Sequence, residues 1–230
     1  IRFIAALQGA FDELAEDKTI KVMILAGNGP IFSSGHDLME IREDYSYPGM
    51  PALYSQCSNM TITMRKQPQP IIAKVHRTAV AVGCQLVSNC DLAVAANDST
   101  FSLPGSNIGL FCSSPAVAVG RVLSPKHAME MLLIDAAISA GDAYHFGLII
   151  KVVTIEELDN AVLVYAKKIA RSSSMTMSIG KPAFYEQLDT ELSAAYAFTS
   201  EMMARNIQEY DAQEGIEAFL ENRNIKWRGR

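Results

Sequence analysis

The chain has 230 residues, of which 49% are hydrophobic and 20% are charged, and its formal net charge is −5 at pH 7. This length allows one large core, or a core with a small appended domain. The negative charge argues against nucleic acid or an anionic membrane surface as the partner. No apolar run approaches the roughly 18 residues of a membrane helix, so we expect no membrane span.

The cysteine and histidine pattern predicts neither disulfides nor a metal site. The four cysteines form no CxxC pair, and no His/Cys/Asp/Glu cluster has metal-ligand spacing. Buried reduced thiols in a cytoplasmic or mitochondrial matrix protein are therefore expected. The chain begins at Ile1 without an initiator Met, so any targeting segment is expected to lie upstream.

The first half of the chain alternates helical and strand-like segments. Apolar residues at helical spacing predict helices over 2–16 and 50–66, and Pro68 and Pro70 end the second. A further helix is expected to begin near Val82. Buried apolar runs predict the strands, which are Ile20–Ala26, Ile71–Val75, Leu92–Ala96 and Thr100–Ser102.

Helical patterns dominate after about residue 115. Ser139–Asp142 has capping-box form and opens a helix ending near Gly147, and Leu148–Val153 is predicted as the last strand. A second capping box at Thr154–Glu157 predicts a helix through Ala170. Three further helices are expected over 174–188, 190–206 and 211–223, the last with Asp211 as cap and Glu214 as its N3 acid. These patterns predict an α/β core over residues 1–173 and a helical region over 174–230.

Two segments place small residues where a strand meets a helix. They are Phe32-Ser33-Ser34-Gly35-His36-Asp37-Leu38 and Ala81-Val82-Gly83-Cys84-Gln85-Leu86, the second followed by Cys90-Asp91. The first N–H groups of a helix lack intrahelical acceptors and carry partial positive charge. Two such helix starts that converge would form a hole for a carbonyl oxygen that gains negative charge.

These segments resemble the crotonase (enoyl-CoA hydratase/isomerase) superfamily, where they read roughly F-[SA]-[AS]-G-[AH]-D-[LI] and N-G-x-A-x-G-G-G-x-[EQ]-L followed by C-D. The nearest branch is that of enoyl-CoA hydratase domain-containing proteins, with FSSGHDL and GCQL. The resemblance covers most of residues 20–190. It continues through Phe101–Gly105, Ile108-Gly109, Ile138–Ala140 and Gly147-Leu148.

The resemblance implies an α/β crotonase-like spiral of strand-turn-helix units, with first strands upstream of this chain. It also implies that the C-terminal helices assemble a homotrimer or a dimer of trimers. The expected ligand is an acyl-CoA thioester, with no cofactor apart from the CoA of the substrate. Simple packing within the chain is the alternative role of the C-terminal helices.

Carried over by position, the resemblance assigns the oxyanion hole to the backbone N–H groups of His36 and Val82. The family motif has glycine at position 82, and His76 and Arg77 replace its Asn-Gly. Substrate contacts are transferred to Ser34, Gly35, Gly83, Ser113 and Lys181. Lys181 corresponds to a lysine near the CoA phosphates, and a solvated helix lysine is the alternative. Ser113 falls where some relatives carry a further acid.

The two catalytic glutamates of the hydratases are absent. Gln85 and Gly105 occupy their positions, and neither a carboxamide nor glycine transfers a proton near neutral pH. Gln85 is expected to bind a water or an acyl polar group, or to satisfy neighbouring backbone. Gly105 is interpreted as a turn residue that leaves space. Restoring both glutamates is expected to raise hydration, provided that position 105 tolerates a side chain.

Several other residues have two interpretations. Asp37 is expected to be an N-cap or first-turn acid. Cys112 is either a small buried hydrophobe or a thiol in the pocket, and His76 is a weaker candidate for proton transfer. Two functions therefore remain: an enoyl-CoA hydratase/isomerase-like enzyme with weak or absent hydration, or a non-catalytic acyl-CoA-binding or regulatory subunit.

Overall fold

A parallel sheet organises the chain in the computed structural model, which describes residues 2–43, 45–46 and 49–230. Its four strands lie in the order β1 (Met23–Ala26), β2 (Ile71–Val75), β4 (Leu92–Ala96) and β7 (Lys151–Val153). In register, Ile72 is opposite Leu92, and Met23 is opposite Ile71. The strands β2 and β4 have the predicted bounds, whereas β1 and β7 are shorter than predicted.

A second, smaller sheet continues from the first. Its strand β3 (Thr78–Val80) pairs in parallel with β5 (Thr100–Ser102), and β5 pairs antiparallel with β6 (Ile138–Ser139). Ser33 forms a single parallel bridge to Ala79, which brings the loop after β1 to the edge of this sheet. The two segments with helix starts therefore lie side by side.

The helices for which the sequence predicts bounds have nearly those extents, although α8 begins later than expected, and α2, α5 and α6 are further helices without predicted bounds. Thr154 bonds to the carboxylate of Glu157, but the helix itself begins at Leu158. A 3₁₀ turn covers Pro104–Ile108. The α-helices are α1 Arg2–Glu16, α2 Leu38–Glu43, α3 Gly49–Lys66, α4 Val82–Asn89, α5 Ser113–Val119, α6 Pro125–Leu133, α7 Ala140–Phe146, α8 Leu158–Ala170, α9 Ser174–Gln187, α10 Leu192–Asn206 and α11 Tyr210–Leu220.

The central strands are buried on both faces, as in a sheet covered by helices. On one face, Ala73 of β2 and Ala95 of β4 join the core that contains Met60 and Met64 of α3. On the other face, the alternate residues pack against α8, because successive side chains of a strand point to opposite sides. In the part of the chain that the structure describes, no helix is long and apolar enough to cross a membrane.

The predicted roles of Asp211 and Glu214 at the start of the last helix are wrong. Both are buried inside α11 and hold the C-terminal tail instead. The carboxylate of Asp211 accepts hydrogen bonds from the Ser173 hydroxyl and from the N–H groups of Arg228 and Gly229, at 2.6 to 2.9 Å. Glu214 accepts two hydrogen bonds from the Arg223 guanidinium, at 2.7 and 3.0 Å. Residue spacing could not reveal these roles, because they depend on the C-terminal tail folding back against α11.

Candidate functional site

The loop after β1 presents the first of the two converging N–H groups. Ser33 N–H donates to Thr78 O at 3.1 Å, and Val80 N–H donates to Ser33 O at 2.9 Å, so the loop is fixed against β3. Gly35 follows with a φ of 89°, a conformation that favours glycine. The N–H of His36 has no acceptor among the described residues.

Asp37 opens the short helix α2. Its Oδ1 accepts a hydrogen bond from Met39 N–H at 2.9 Å, and its backbone O accepts one from Ile41 N–H. This pattern confirms Asp37 as the N-cap. The carboxylate serves the helix start and is not a wall of the cavity described below.

The second N–H group, that of Val82, lies at the start of α4. Two residues in the segment before it have positive φ angles, which usually require glycine. Arg77 has a φ of 54° and Ala81 a φ of 50°, and both replace glycines of the family motif. Ala81 N–H donates to Ser102 O at 2.9 Å, whereas the N–H of Val82 has no acceptor in the described chain. The turn geometry is thus retained without glycine.

Both free N–H groups belong to residues that line one cavity of about 480 Å³, which we call the thioester cavity. An added Cβ on Gly35 would lie 3.6 Å from the backbone N of Val82, so the two segments are in close approach. The apolar part of the wall comes from Leu38, Ile41, Val80, Ile108, Leu110 and Phe111. A carbonyl group placed here would meet amide dipoles in mainly apolar surroundings.

The His36 side chain also lines the thioester cavity and packs edge-on against the ring of Tyr54, with 5.8 Å between ring centroids. Burial lowers the pKa of His36 below its ordinary value of 6.5, so the imidazole is neutral at pH 7.

Gly83 and Ser34 have different surroundings, although the sequence assigns both to the substrate. Ser34 lines the thioester cavity, whereas Gly83 does not. An added Cβ on Gly83 would lie 2.8 Å from the backbone O of Ser33. The glycine therefore permits α4 to pack directly on the loop that holds His36, and its role in this structure is positional.

Gln85 is buried next to the thioester cavity and faces a second one. Its Nε2 donates to the Thr61 hydroxyl at 2.8 Å, while its Oε1 has no partner among the described residues. The second cavity, about 620 Å³, has an apolar part that includes Ile62, Val117 and Pro182. We call it the polar cavity because Gln85 and other polar side chains from α3, α4, α5 and α9 also line it.

Gly105 lines the thioester cavity and is buried. An added Cβ would lie 1.8 Å from the backbone O of Leu110 and 2.8 Å from the sulfur of Cys112. The interpretation as a space-leaving turn residue agrees with this close approach. The condition attached to restoring a glutamate here is not met by this backbone, because even a Cβ would require Leu110 to move. The effect of the restored glutamates on hydration stays a prediction.

Three consecutive residues that follow the 3₁₀ turn complete the wall of the thioester cavity. Cys112, Ser113 and Ser114 line the thioester cavity, and Ser114 also lines the polar cavity, so the two cavities meet there. Cys112 is half-buried, and burial raises the pKa of its thiol. Ser113 is exposed, and its hydroxyl donates to Phe111 O at 3.4 Å.

Lys181 lines neither cavity, and its contact with CoA stays a prediction, whereas the alternative of a solvated helix lysine is wrong. Its side chain is only 7% exposed, and its Nζ lies 2.9 Å from Asp91 and donates to Met64 O and Gln69 O. Burial lowers the pKa of Lys181, while Asp91 opposes that shift. The lysine fastens α9 to the core.

His76 also lies outside both cavities, and its Nε2 is 2.9 Å from Gly29 O. Among the described residues, no group of three or more His, Cys, Asp or Glu side chains is arranged to hold a metal ion.

Sequence reasoning missed a polar stripe on α3. Tyr54 lines the thioester cavity, and Ser58, Thr61 and Arg65 line the polar cavity. These residues are spaced by four, three and four positions, which places them on one helix face. The adjacent face, one position earlier along the chain at each step, carries the buried Leu53, Cys57, Met60 and Met64. The signal in the sequence was the recurrence of polar residues every three or four positions along this helix, which predicts a polar face.

Comparisons with known proteins show the family of the chain. The family model described as enoyl-CoA hydratase/isomerase matches residues 2–230. The chain therefore belongs to the enoyl-CoA hydratase/isomerase family, the crotonase superfamily.

The similar proteins include members of the enoyl-CoA hydratase domain-containing branch. Rat enoyl-CoA hydratase domain-containing protein 3, mitochondrial, is 46% identical over 213 residues, which are 93% of this chain and 71% of the relative. The crystal structure of human enoyl coenzyme A hydratase domain-containing protein 3 is 43% identical with a TM-score of 0.94, covering 97% of this chain and 88% of that chain. An enoyl-CoA hydratase structure from Mycobacterium smegmatis is 41% identical with a TM-score of 0.95, covering 97% and 87%. The crotonase fold and the predicted branch are thereby confirmed.

Proposed function

We propose that the protein binds an acyl-CoA thioester in the thioester cavity, with the thioester oxygen held by the N–H groups of His36 and Val82. The observation that carries this proposal is that neither N–H group has an acceptor among the described residues, and that both belong to residues lining one cavity. Ser34 and Gly35 shape the first donor segment, and Gly83 sets the approach of the second. CoA is part of the substrate, and no further cofactor is required.

We further propose that hydration of enoyl-CoA is weak or absent. None of the described residues that line the thioester cavity is an Asp or Glu. General acid–base assistance contributes about 10²–10⁴-fold per group, so loss of both glutamates costs at least several thousandfold. Thioester polarisation by backbone N–H groups is independent of those side chains.

The second candidate function is a non-catalytic acyl-CoA-binding or regulatory subunit. The Gln85–Thr61 hydrogen bond and the crowding at Gly105 favour it, because the two acid positions are now structural. In either function we place the protein in the cytoplasm or mitochondrial matrix. The name of the rat relative, which includes "mitochondrial", supports the second of these compartments.

Calorimetry with crotonyl-CoA, acetyl-CoA and crotonate tests the binding proposal. We expect both thioesters to bind more tightly than the free acid, since the cavity provides neutral dipoles for a carbonyl oxygen. Equal or undetectable binding of all three ligands would overturn the proposal. Turnover of crotonyl-CoA at the rate of an ordinary hydratase would contradict the assignment of Gln85 and Gly105 to the acid positions.

A further inference from the structure

The polar cavity continues from the thioester cavity along one face of α4. Val82, Gln85 and Asn89 are spaced by three and four residues, so their side chains lie on the same face. At 1.5 Å of rise per residue, Asn89 lies about 10 Å along the helix from Val82. An acyl group whose thioester oxygen meets Val82 N–H, and which passes Ser114, therefore runs toward Asn89.

The guanidinium group of Arg65 lies at Asn89, and neighbouring side chains fix its orientation. Arg65 Nε donates to Asn89 Oδ1 at 2.9 Å, and Asn89 is 2% exposed. Asn89 is fixed in turn because its Nδ2 donates to Gln85 O at 2.7 Å. The Arg65 guanidinium also lies over the ring of Tyr185, 5.0 Å from its centroid, and the Tyr185 hydroxyl donates to Asp91 at 3.0 Å.

The terminal nitrogens of Arg65 remain without an acceptor in the described part of the chain. The other charged residues of the polar cavity do not form an ion pair with the Arg65 guanidinium. Asp189 lies 3.7 Å from Arg121, Glu186 is exposed, and Lys66 adds a further positive charge. A guanidinium that is oriented through Nε and leaves two terminal amino groups free is suited to a planar carboxylate.

We propose that the acyl group of the substrate carries a terminal carboxylate, and that Arg65 binds it in the polar cavity. This inference rests on the proposed function and specifies its substrate class: CoA monothioesters of dicarboxylic acids. Arg65 is the specificity-determining residue. Gln85, which lines the same cavity, lies between Val82 and Asn89 on this face of α4.

Distance favours a carboxylate over the phosphates of CoA as the anion at Arg65. An extended chain spans about 1.2 Å per bond, so a carboxylate about five bonds beyond the thioester carbon lies roughly 6 Å away. A hydrogen bond at each end of the acyl group adds about 3 Å. The total length then covers the distance of about 10 Å along α4 between Val82 and Asn89. The pantetheine arm has about 13 bonds between sulfur and phosphorus, or roughly 16 Å when extended.

Calorimetry with adipyl-CoA and hexanoyl-CoA tests the inference in the full chain. Both have six-carbon acyl groups, which differ in a terminal carboxylate or methyl group. We expect adipyl-CoA to bind at least about tenfold more tightly. The Arg65→Gln variant should lose this preference and keep its affinity for hexanoyl-CoA. Arg65→Lys retains the positive charge but not the two terminal amino groups of the guanidinium, so it should keep only part of the preference.

Lys167→Gln is the matched control, because Lys167 is an exposed cation on α8 and its loss changes the net charge equally. It should leave the preference unchanged. Equal affinity of the unmodified protein for both thioesters, or a preference that survives Arg65→Gln, would overturn the inference. Absence of binding for both thioesters would instead overturn the proposed function.

Adipyl-pantetheine and hexanoyl-pantetheine identify the anion that Arg65 contacts, since neither carries the CoA phosphates. A preference for adipyl-pantetheine that disappears in Arg65→Gln supports the carboxylate contact. If Arg65→Gln weakens both CoA thioesters equally and leaves both pantetheine thioesters unaffected, Arg65 binds a phosphate and the inference is wrong.

Discussion

Arg77 and Ala81 adopt positive φ angles on the two sides of β3, directly before the helix that carries Val82. Such conformations cost of order 1–3 kcal/mol for a non-glycine residue, whereas glycine adopts them without steric penalty. The surrounding hydrogen bonds maintain them, since Thr100 N–H donates to Arg77 O at 2.6 Å and Ala81 N–H donates to Ser102 O. The backbone strain therefore lies at the segment that positions the proposed thioester donor.

The Ala81→Gly variant should be more stable than the unmodified protein by about 1 kcal/mol, because glycine relieves the positive φ. Urea unfolding followed by circular dichroism measures this difference. Ala79→Gly is the control, since Ala79 is fully buried in β3 and its change to glycine should destabilise the fold. A destabilising Ala81→Gly would show that the methyl group contributes more by packing than it costs by strain.

Gly105→Ala should destabilise the protein by about 3 kcal/mol, because a Cβ would lie 1.8 Å from Leu110 O and the loop must move. Gly180→Ala on α9 is the matched control. A Cβ there meets no atom within 4 Å, so alanine should stabilise the helix by about 0.5–1 kcal/mol. Thermal unfolding of both variants measures the two effects, and a neutral Gly105→Ala would contradict the crowding.

Cys112 should be the first cysteine that iodoacetamide alkylates in the folded protein. The other three, Cys57, Cys84 and Cys90, are at most 7% exposed, whereas Cys112 lines the thioester cavity. Because burial raises the pKa of Cys112, labelling should be slow at pH 7 and should accelerate as the pH rises. Mass spectrometry of peptides identifies the site, and a bound acyl-CoA should slow its labelling. Labelling unaffected by the thioester would contradict the placement of the ligand.

At the scale of elements, α11 retains the C-terminal tail through two carboxylates. The pKa of Glu214 falls to about 2 because Arg223 and the N–H of Lys226 donate to it. Burial raises the pKa of Asp211, but hydrogen bonds from Ser173 and the tail N–H groups outweigh this effect and lower it. Both carboxylates therefore stabilise the fold fully above their ordinary pKa values, and this contribution is lost as the pH falls through the lowered values.

Acidification from about pH 4.5 to 2 should release the tail. Trp227 is the single tryptophan and reports this step, since its Nε1 donates to Arg171 O at 2.7 Å and its ring packs on Gly215. Its fluorescence should change in that pH range. Glu214→Gln should loosen the tail already at pH 7, whereas Glu217→Gln, whose side chain is 68% exposed, should not. An unchanged spectrum for Glu214→Gln would contradict the role of this carboxylate.

The sequence predicts elements well where local pattern determines them. The strands β2, β4 and β5 have the predicted bounds because they are short apolar or β-branched runs between turn residues. Tertiary structure determines the rest. The tail contacts of Asp211, the burial of Lys181 and the crowding at Gly105 all depend on segments distant in the sequence. The helix-start motifs located His36 and Val82, but the polar stripe of α3 needed the fold to place it beside α4.

At the scale of the whole molecule, the C-terminal helices expose an unusually apolar surface. The exposed large side chains include Phe184, Leu192, Tyr196, Met203, Phe219 and Leu220, with 57 to 80% of their area accessible. Exposed apolar side chains in this number are typical of subunit interfaces. The homotrimer, or dimer of trimers, and the boundary between residues 173 and 174 both stay predictions.

Light scattering should give a mass of about 75 kDa or a multiple of it, against 25.1 kDa for one chain. Phe219→Glu should shift the protein toward smaller species, because the charge would be buried at an interface. Leu163→Glu on α8 is the control, since Leu163 is 45% exposed and lies outside the C-terminal helices. A stable 25.1 kDa species for the unmodified protein at micromolar concentration would contradict the trimer.

The two N–H groups of His36 and Val82 belong to the main chain, and this has a consequence for mutational scanning. Every ordinary substitution except proline retains an N–H at its position. Alanine scanning would therefore leave both donors in place, and any effect that it registers at these positions would come from lost side-chain packing. For the same reason, valine can stand at position 82, where the family motif has glycine, while the N–H donor stays in place. At such a site, function depends on the course of the backbone and not on the identity of the side chains that supply the donors.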